Sequence, residues 1–158
     1  MHHFHSLKTT KVSKETNDCV HIAFAIPPEL RHEFSFKQGQ YINVRFLMGE
    51  EDLRRSYSIV NAPSEGNGDL EILVKHLDEG KVSTYLNQVL KLGDFVEVMG
   101  PSGHFYTHYH PSNEKNYIGL AAGSGISPVL SNLKEALYQE PKSNGYLIFS
   151  NKSFAEII

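Results

Sequence analysis

Period-two alternation of apolar and polar residues dominates the first two thirds of the chain. In CVHIAFAI, residues 19–26, Val20, Ile22, Phe24 and Ile26 fall on one face, the signature of a half-buried strand. QYINVRF repeats it with Ile42, Val44 and Phe46, and DLEILVKH with Leu70, Ile72 and Val74. DFVEVMG is shorter: Val96 and Val98 share one face, Phe95 and Glu97 the other, and the pattern leaves its inward side open. RRSYSIV, residues 54–60, places two arginines before a strand-like run in which serines interrupt Tyr57, Ile59 and Val60. Between these runs stand IPPEL, KQGQ, APSEGNGD and GPSG, most of them dense in residues that fix or free φ and so end strands. Short strands separated by turn signals predict a sandwich or a closed barrel. KVSTYLNQVL interrupts them with Val82, Leu86 and Val89 at helical spacing behind Gly80.

After residue 115 the pattern changes. NYIGLAAGSG is a largely apolar run ending in glycines, and ISPVLSNLKEAL follows with Ser127 as a helix cap, Pro128 in the first turn and Leu130, Leu133 and Leu137 on one face. GYLIFS is a second buried-type run, and NKSFAEII has the composition to open another helix. Strand, glycine turn, helix, strand is the first βαβ unit of a parallel sheet. Two parallel strands do not cover their own faces, so the expectation is a β domain over 1–110 and a truncated α/β domain over 111–158, joined near the polar THYHPSNEK.

Composition narrows the functional classes. Of 158 residues 40% are apolar, enough for a real core, and 15 basic against 18 acidic residues give a formal charge of -3. That balance provides no electrostatic reason to bind nucleic acid or an anionic membrane face. No apolar run approaches the roughly 20 residues of a spanning helix, and a cytoplasmic protein is expected. A single cysteine, Cys19, excludes an internal disulfide and a thiolate-held cluster. No metal site is expected: His2, His3 and His5 sit at a terminus read as frayed, and His104, His108 and His110 lack a partner acid at suitable spacing.

An arginine, a tyrosine and serines on one strand read, by themselves, as a solvated edge. Three further stretches change that reading. GKVSTYL leads a glycine into a helix start, where unpaired amides and the helix dipole favour a phosphate. GPSGHF is a rigid turn whose Gly100, Pro101 and Gly103 serve either as a corner or to keep side chains clear of a ligand, and AAGSGISP is a second strand-end anion cradle. Phe24, Phe34, Phe36 and Phe46 are assigned to core packing.

Taken in order, RSYS, LVKH, GKVSTYL, GPSGHF and GSGISP resemble the ferredoxin-NADP reductase superfamily, and LRRSYSI with AAGSGISPVLSNLK is most similar to the reductase components of phenylacetyl-CoA epoxidase and ring-hydroxylating oxygenases. The resemblance implies a six-stranded antiparallel Greek-key β barrel that holds FAD, followed by the start of an α/β parallel-sheet nucleotide-binding domain. It implies that within Arg55-Ser56-Tyr57-Ser58 the guanidinium pairs with pyrophosphate, Tyr57 lies against the isoalloxazine and Ser58 hydrogen-bonds near N5. Val74 and Lys75 flank the cofactor on that reading, although Lys75 also reads as a plain surface lysine. Gly80, Lys81, Val82 and Ser83 cap the pyrophosphate. Gly123, Ser124 and Gly125 face a nicotinamide nucleotide, with Ser127 near the flavin edge. Ser150, Asn151 and Lys152 close the second strand with no acid among them, which favours NADPH over NADH. The implied activity is transfer of electrons from NAD(P)H through FAD to an iron-sulfur protein or oxygenase component, with Tyr57, Ser58 and Ser127 as the catalytic residues. The absence of paired carboxylates is consistent with it, since acids lie mostly in turns such as GEED and LDEG. The same motifs also allow a non-catalytic flavin-binding or docking fragment and a reductase of free-flavin or flavohaemoglobin type. The remainder of the nucleotide domain and a cysteine-bearing ferredoxin domain are absent from these residues, so this chain is expected to hold FAD and to turn over poorly or not at all unless the missing portion is supplied.

Overall fold

The computed structural model describes residues 3–66 and 68–158; Met1, His2 and the Asn67 of the APSEGNGD turn lie outside them. Among the described residues the elements run β1 (Phe4–Thr16), β2 (Cys19–Ala25), β3 (Tyr41–Met48), β4 (Glu51–Ser58), β5 (Asp69–Lys75), α1 (Lys81–Gln88), β6 (Phe95–Ser102), β7 (Asn116–Ala122), α2 (Ile126–Gln139) and β8 (Asn144–Ser150). The first six strands form one sheet in the order β4-β3-β6-β1-β2-β5, every pairing antiparallel. Its two edges meet where Ile59 bridges Ile72 and the Val60 N–H donates to the Glu71 carbonyl at 2.9 Å. The sheet is therefore a Greek-key barrel, not a sandwich.

The alternation along each strand selects its inner face. Ile22, Phe24, Ile42, Val44, Ile72 and Val74 are fully buried, each contributing about 1.5–3 kcal/mol of transfer free energy. Val96 and Val98 turn inward and Phe95 outward, which settles the face of β6. Helix α1 covers the core with Val82, Leu86 and Leu90, whereas Val89, expected on that face, is 52% exposed. The helix stops at Gln88, and the amides of Val89 and Leu90 both bond to the Tyr85 carbonyl, the second across five residues, a widened last turn that brings Leu90 round to the core.

From Phe4 onward the amino-terminal segment is paired and not frayed. Strand β1 pairs first with β6, from Phe4 opposite Met99 to Lys8 opposite Phe95, and then with β2, with a register shift between Thr9 and Lys11. Leu7 and Thr9 are buried, the Thr9 hydroxyl lying 2.9 Å from the Lys91 carbonyl, and the His5 ring meets Glu33 at 2.9 Å. A strand that changes partner midway and buries a threonine shows no clean apolar alternation.

Strands β7 and β8 pair in parallel, Asn116 opposite Asn144 through Ala122 opposite Ser150, and α2 crosses between them. A Cβ on Gly119 would stand 2.6 Å from Val129 Cγ1, so glycine is what lets the helix lie this close to the sheet. Ser127 is not the cap. A 3-10 turn, Gly123–Gly125, already carries the chain into the helix, so Ser127 falls inside the first turn, buried, with its hydroxyl donating to the Ser124 carbonyl at 3.3 Å. NKSFAEII forms a 3-10 turn, Phe154–Glu156, and no second helix.

The two units meet along α2. Its Ser131 hydroxyl donates to the Asn61 carbonyl at 2.8 Å, its buried Glu135 accepts the Ser64 N–H at 2.9 Å, and its Asn132 amide donates to the Phe105 carbonyl at 2.9 Å. Beside these, Cys19, Val60, Leu73 and Ile126 form a small apolar cluster, in which burial pushes the Cys19 thiol up to about 11 and leaves it inert.

At the far end of α2, Glu140 is completely buried and accepts hydrogen bonds from the His110 N–H (3.0 Å), the Asn113 amide (2.6 Å), the Tyr117 hydroxyl (2.7 Å) and the Ser143 hydroxyl (2.9 Å). Burial alone would raise its pKa, but the donors, Asn113 foremost, outweigh it and hold the carboxyl at about 2, below the ordinary 4.5. Because the folded value is the lower one, this contribution to stability is complete above pH 4.5 and is lost as pH falls towards 2. Glu140→Gln is expected to lower the melting temperature at pH 7 by about 5 °C or more and to flatten its decline between pH 4.5 and 2, as read by thermal melts across that range.

Candidate functional site

Alternation along β4 separates the two arginines. Opposite β3, Leu53 faces Phe46, Arg55 faces Val44 and Tyr57 faces Ile42, and this is the inner face of the strand. Arg54, Ser56 and Ser58 stand opposite Arg45, Asn43 and Tyr41 on the outer face. There Arg54 bonds to Asp52 at 2.8 Å and covers the Phe4 ring at 5.4 Å, while Arg45 reaches the same carboxylate at 2.9 Å. The hydrogen bonds from Arg54 and Arg45 hold Asp52 at about 2, and Ser56 donates to the Asn43 side chain at 2.6 Å. Arg54 is thus structural. Arg55 is exposed, makes no ion pair among the described residues, and directs one Nη to the Arg54 carbonyl at 2.7 Å, leaving most of its five donors available. Tyr57 is half-buried; burial pushes its phenol up to about 12, and the nearby charge of Arg55 partly offsets that rise.

Helix α1 lies along this hairpin, with Tyr85 tilted against Phe46 at 5.1 Å and Lys81 paired with Glu51 at the start of β4. The turn before it is kinked: Glu79 has φ 62°, and a Cβ on Gly80 would meet the Ser83 hydroxyl at 2.5 Å. That hydroxyl is engaged within the turn, accepting from the Leu77 N–H at 3.2 Å and donating to the Gly80 carbonyl at 3.0 Å. The side chains of Val74 and Val82 belong to the core, so what this segment offers is backbone, chiefly the amides of the first helical turn.

Where the barrel meets the α/β unit, at the carboxyl ends of both parallel strands, lies a cleft of about 690 Å³. Asp18, Lys75, His76, Leu77 and Asp78 line it from the barrel, and Ala122, Gly123, Ser124, Ser150, Asn151, Lys152 and Glu156 from the other side. It gathers Lys75, Gly123, Ser124, Ser150, Asn151 and Lys152, all expected from the sequence; the exposed Gly125 and the buried Ser127 are not among its lining residues. Lys75 is no free surface lysine, since its ammonium lies 2.7 Å from Glu156 and 3.2 Å from Asp18. Gly123, at φ 49°, has nothing within 4 Å of the place a Cβ would take, so its backbone faces open space. The sequence reading missed Asp18 and Glu156, because the partners of this cluster are up to 81 positions apart and carry no local pattern. Gly103 proves to be a packing corner: a Cβ there would stand 3.0 Å from the Tyr41 ring.

The model of the oxidoreductase FAD-binding domain family matches residues 6–107, the span of the barrel. The chain belongs to this family. Beside the FAD-binding family match stand two curated relatives and a solved structure. Over 152 residues the chain is 39% identical to a 1,2-phenylacetyl-CoA epoxidase subunit from Escherichia coli, covering 95% of this chain and 42% of that one. It is 31% identical over 153 residues to the ferredoxin reductase component of 3-ketosteroid-9-alpha-monooxygenase from Rhodococcus rhodochrous, covering 96% and 42%. Among solved structures, a ferredoxin NADP+ reductase from Neisseria gonorrhoeae with bound FAD and NADP superposes with a TM-score of 0.78 at 26% identity, covering 98% of this chain and 60% of that one. The chain spans about two fifths of the length of these curated relatives. The barrel followed by a parallel pair with its helix is the fold shared with that FAD- and NADP-bound reductase.

Proposed function

We propose that the inner face of β4 holds FAD and that the cleft beside it receives a nicotinamide nucleotide, making this chain a module that moves electrons from NAD(P)H towards an iron-sulfur protein or oxygenase component. The observation that carries this reading is the sharing of one face of β4 by a guanidinium with donors to offer and a half-buried phenol, next to a helix start and a cleft at parallel-strand ends. The residues fit the group. Arg55 presents a planar fork to pyrophosphate oxygens, the amides of Lys81, Val82 and Ser83 add donors at the helix start, and Tyr57 supplies an apolar face for a flat ring. In the cleft, the turn of Gly123, Ser124 and Gly125 exposes backbone to the second nucleotide, while Lys75, Ser150, Asn151 and Lys152 supply polar groups around it. With basic, amide and hydroxyl groups at the end of β8, NADPH is preferred over NADH.

When bound, flavin accepts two electrons as hydride and releases them one at a time. The protein's part is placement. Ser58 points to the face of β4 opposite Tyr57, but it ends the strand half-buried where the barrel wall closes, so its small hydroxyl meets the reactive edge of the ring round the strand end and leaves room for a second ring. Tyr57 keeps water from the ring face. Ser127, buried and bonded to the Ser124 carbonyl, acts through the glycine turn and is a positioning residue. The barrel over 1–110 serves the flavin and residues 111–158 the nucleotide, in a cytoplasmic setting.

The test is anaerobic titration of the FAD-loaded protein with NADPH and NADH. Bleaching of the visible flavin absorption, at lower concentration with NADPH, is the expected result. A protein that takes up no FAD overturns the reading of β4, and one whose flavin spectrum saturating nucleotide leaves wholly unchanged, with neither bleaching nor a difference band, overturns the reading of the cleft.

A further inference from the structure

Lys75 stands at the seam between the two units, and its two acidic partners come from opposite sides. Asp18, in the β1–β2 turn, is fixed to the barrel: Thr16 donates to its carboxylate at 2.7 Å and its carbonyl accepts the His76 N–H at 2.6 Å. Burial would raise the Asp18 pKa, but the hydrogen bonds from Thr16 and Lys75 outweigh it, so the carboxylate stays charged and holds the ammonium in the cleft. Glu156 arrives from the α/β side, on the 3-10 turn Phe154–Glu156, and approaches more closely than Asp18 does.

We propose that Glu156 occupies, on Lys75, the seat of an acidic oxygen of the cleft's ligand, so that binding exchanges a carboxylate for a phosphate oxygen at that ammonium. The proposal rests on the reading of the cleft as a nicotinamide-nucleotide site. A carboxylate and a phosphate offer an ammonium the same kind of acceptor, so one replaces the other without change to Lys75 or Asp18. Facing Lys75 across the cleft is the open backbone of Gly123, which gives the incoming anion room. The charge balance favours the exchange: three carboxylates, Asp18, Asp78 and Glu156, line the cleft against the ammonium groups of Lys75 and Lys152, and withdrawing Glu156 removes the surplus that an anionic ligand would meet. The segment that carries Glu156 also begins with a misfit. Both polar atoms of the Asn151 side chain are buried without a partner, an arrangement that favours release of this segment when a ligand competes for it.

The exchange is tested on the FAD-loaded protein by titrating NADP+ and NAD+ and following the flavin difference spectrum. Glu156→Gln keeps the shape and removes the charge, and it is expected to tighten binding about three- to tenfold, whereas Lys75→Met weakens it about tenfold. In the Lys75→Met background Glu156→Gln has no effect, the signature of a direct coupling. Unchanged or weaker binding by Glu156→Gln overturns the proposal. On the unaltered protein a carbodiimide joins Lys75 to Glu156 as an amide with loss of water, seen by peptide mass spectrometry. Saturating NADP+ or inorganic pyrophosphate is expected to suppress that product, and an undiminished yield overturns the exchange. If neither nucleotide binds, the nucleotide reading fails by itself, while the pyrophosphate result still decides whether Glu156 yields its seat to an oxyanion.

Discussion

Arg55→Ala is expected to weaken FAD binding by roughly 30-fold to 4,000-fold, while Arg54→Ala leaves it within about twofold of the parent. Removing a charged partner of a shielded, hydrogen-bonded anion costs about 2–5 kcal/mol, and each 1.4 kcal/mol is tenfold in affinity. The two residues are neighbours of identical chemistry, so the contrast comes from the faces of β4 alone: Arg55 lies in line with Leu53 and Tyr57, and Arg54 is bound to Asp52 over the Phe4 ring. Fluorescence quenching of added FAD by each apoprotein provides the comparison. Equal loss in both variants would mean that net charge, and not a seat on the inner face, attracts the dinucleotide.

Gly39→Ala is expected to destabilise the fold by roughly 2–5 kcal/mol, combining the left-handed penalty of about 1–2 with the roughly 1–3 of an overpacked contact. Gly39 has φ +77°, and a Cβ there would fall 2.0 Å from the Phe105 carbonyl oxygen and 2.4 Å from the Asn132 amide nitrogen. The first of these is backbone and cannot swing aside. The control is Gly49→Ala in the β3–β4 turn, at φ +62° with nothing within 4 Å, which carries the conformational penalty alone. Urea unfolding of the two variants separates the terms, and similar losses would show that the Phe105 carbonyl yields. Asn132 belongs to α2, so the same substitution presses the helix away from the barrel at the seam between the two units.

Much of the barrel is legible in the alternation of β2, β3 and β5, because each of these strands buries one face along its whole length. Strand β1 is not, since its inner positions include Thr9 and its partner changes midway. The choice between Arg54 and Arg55 is also present in the sequence: counting by twos from Leu53 leads to Arg55 and Tyr57. Other features depend on distant residues. Ser127 before a proline reads as a helix cap, yet the three preceding residues already turn, so the hydroxyl lies inside. Nothing in the sequence singles out Glu140, and only the arrival of Asn113, Tyr117 and Ser143 from the residues before β7, from β7 and from the turn after α2 makes it a buried carboxylate. Glu156 and Asp18 entered the cleft through tertiary ion pairs, which no local spacing records.

The doubled arginine also bears on how this protein would fail. If β4 slid by one place along β3, its side chains would swap sides together. Arg54 would then replace Arg55 inside, and Tyr57 would turn out to solvent. If Arg55 and Tyr57 hold FAD as proposed, such a misfolded species would still attract phosphate yet remain colourless, and the yellow tint of the correctly folded protein would report hairpin registry as well as the presence of a prosthetic group.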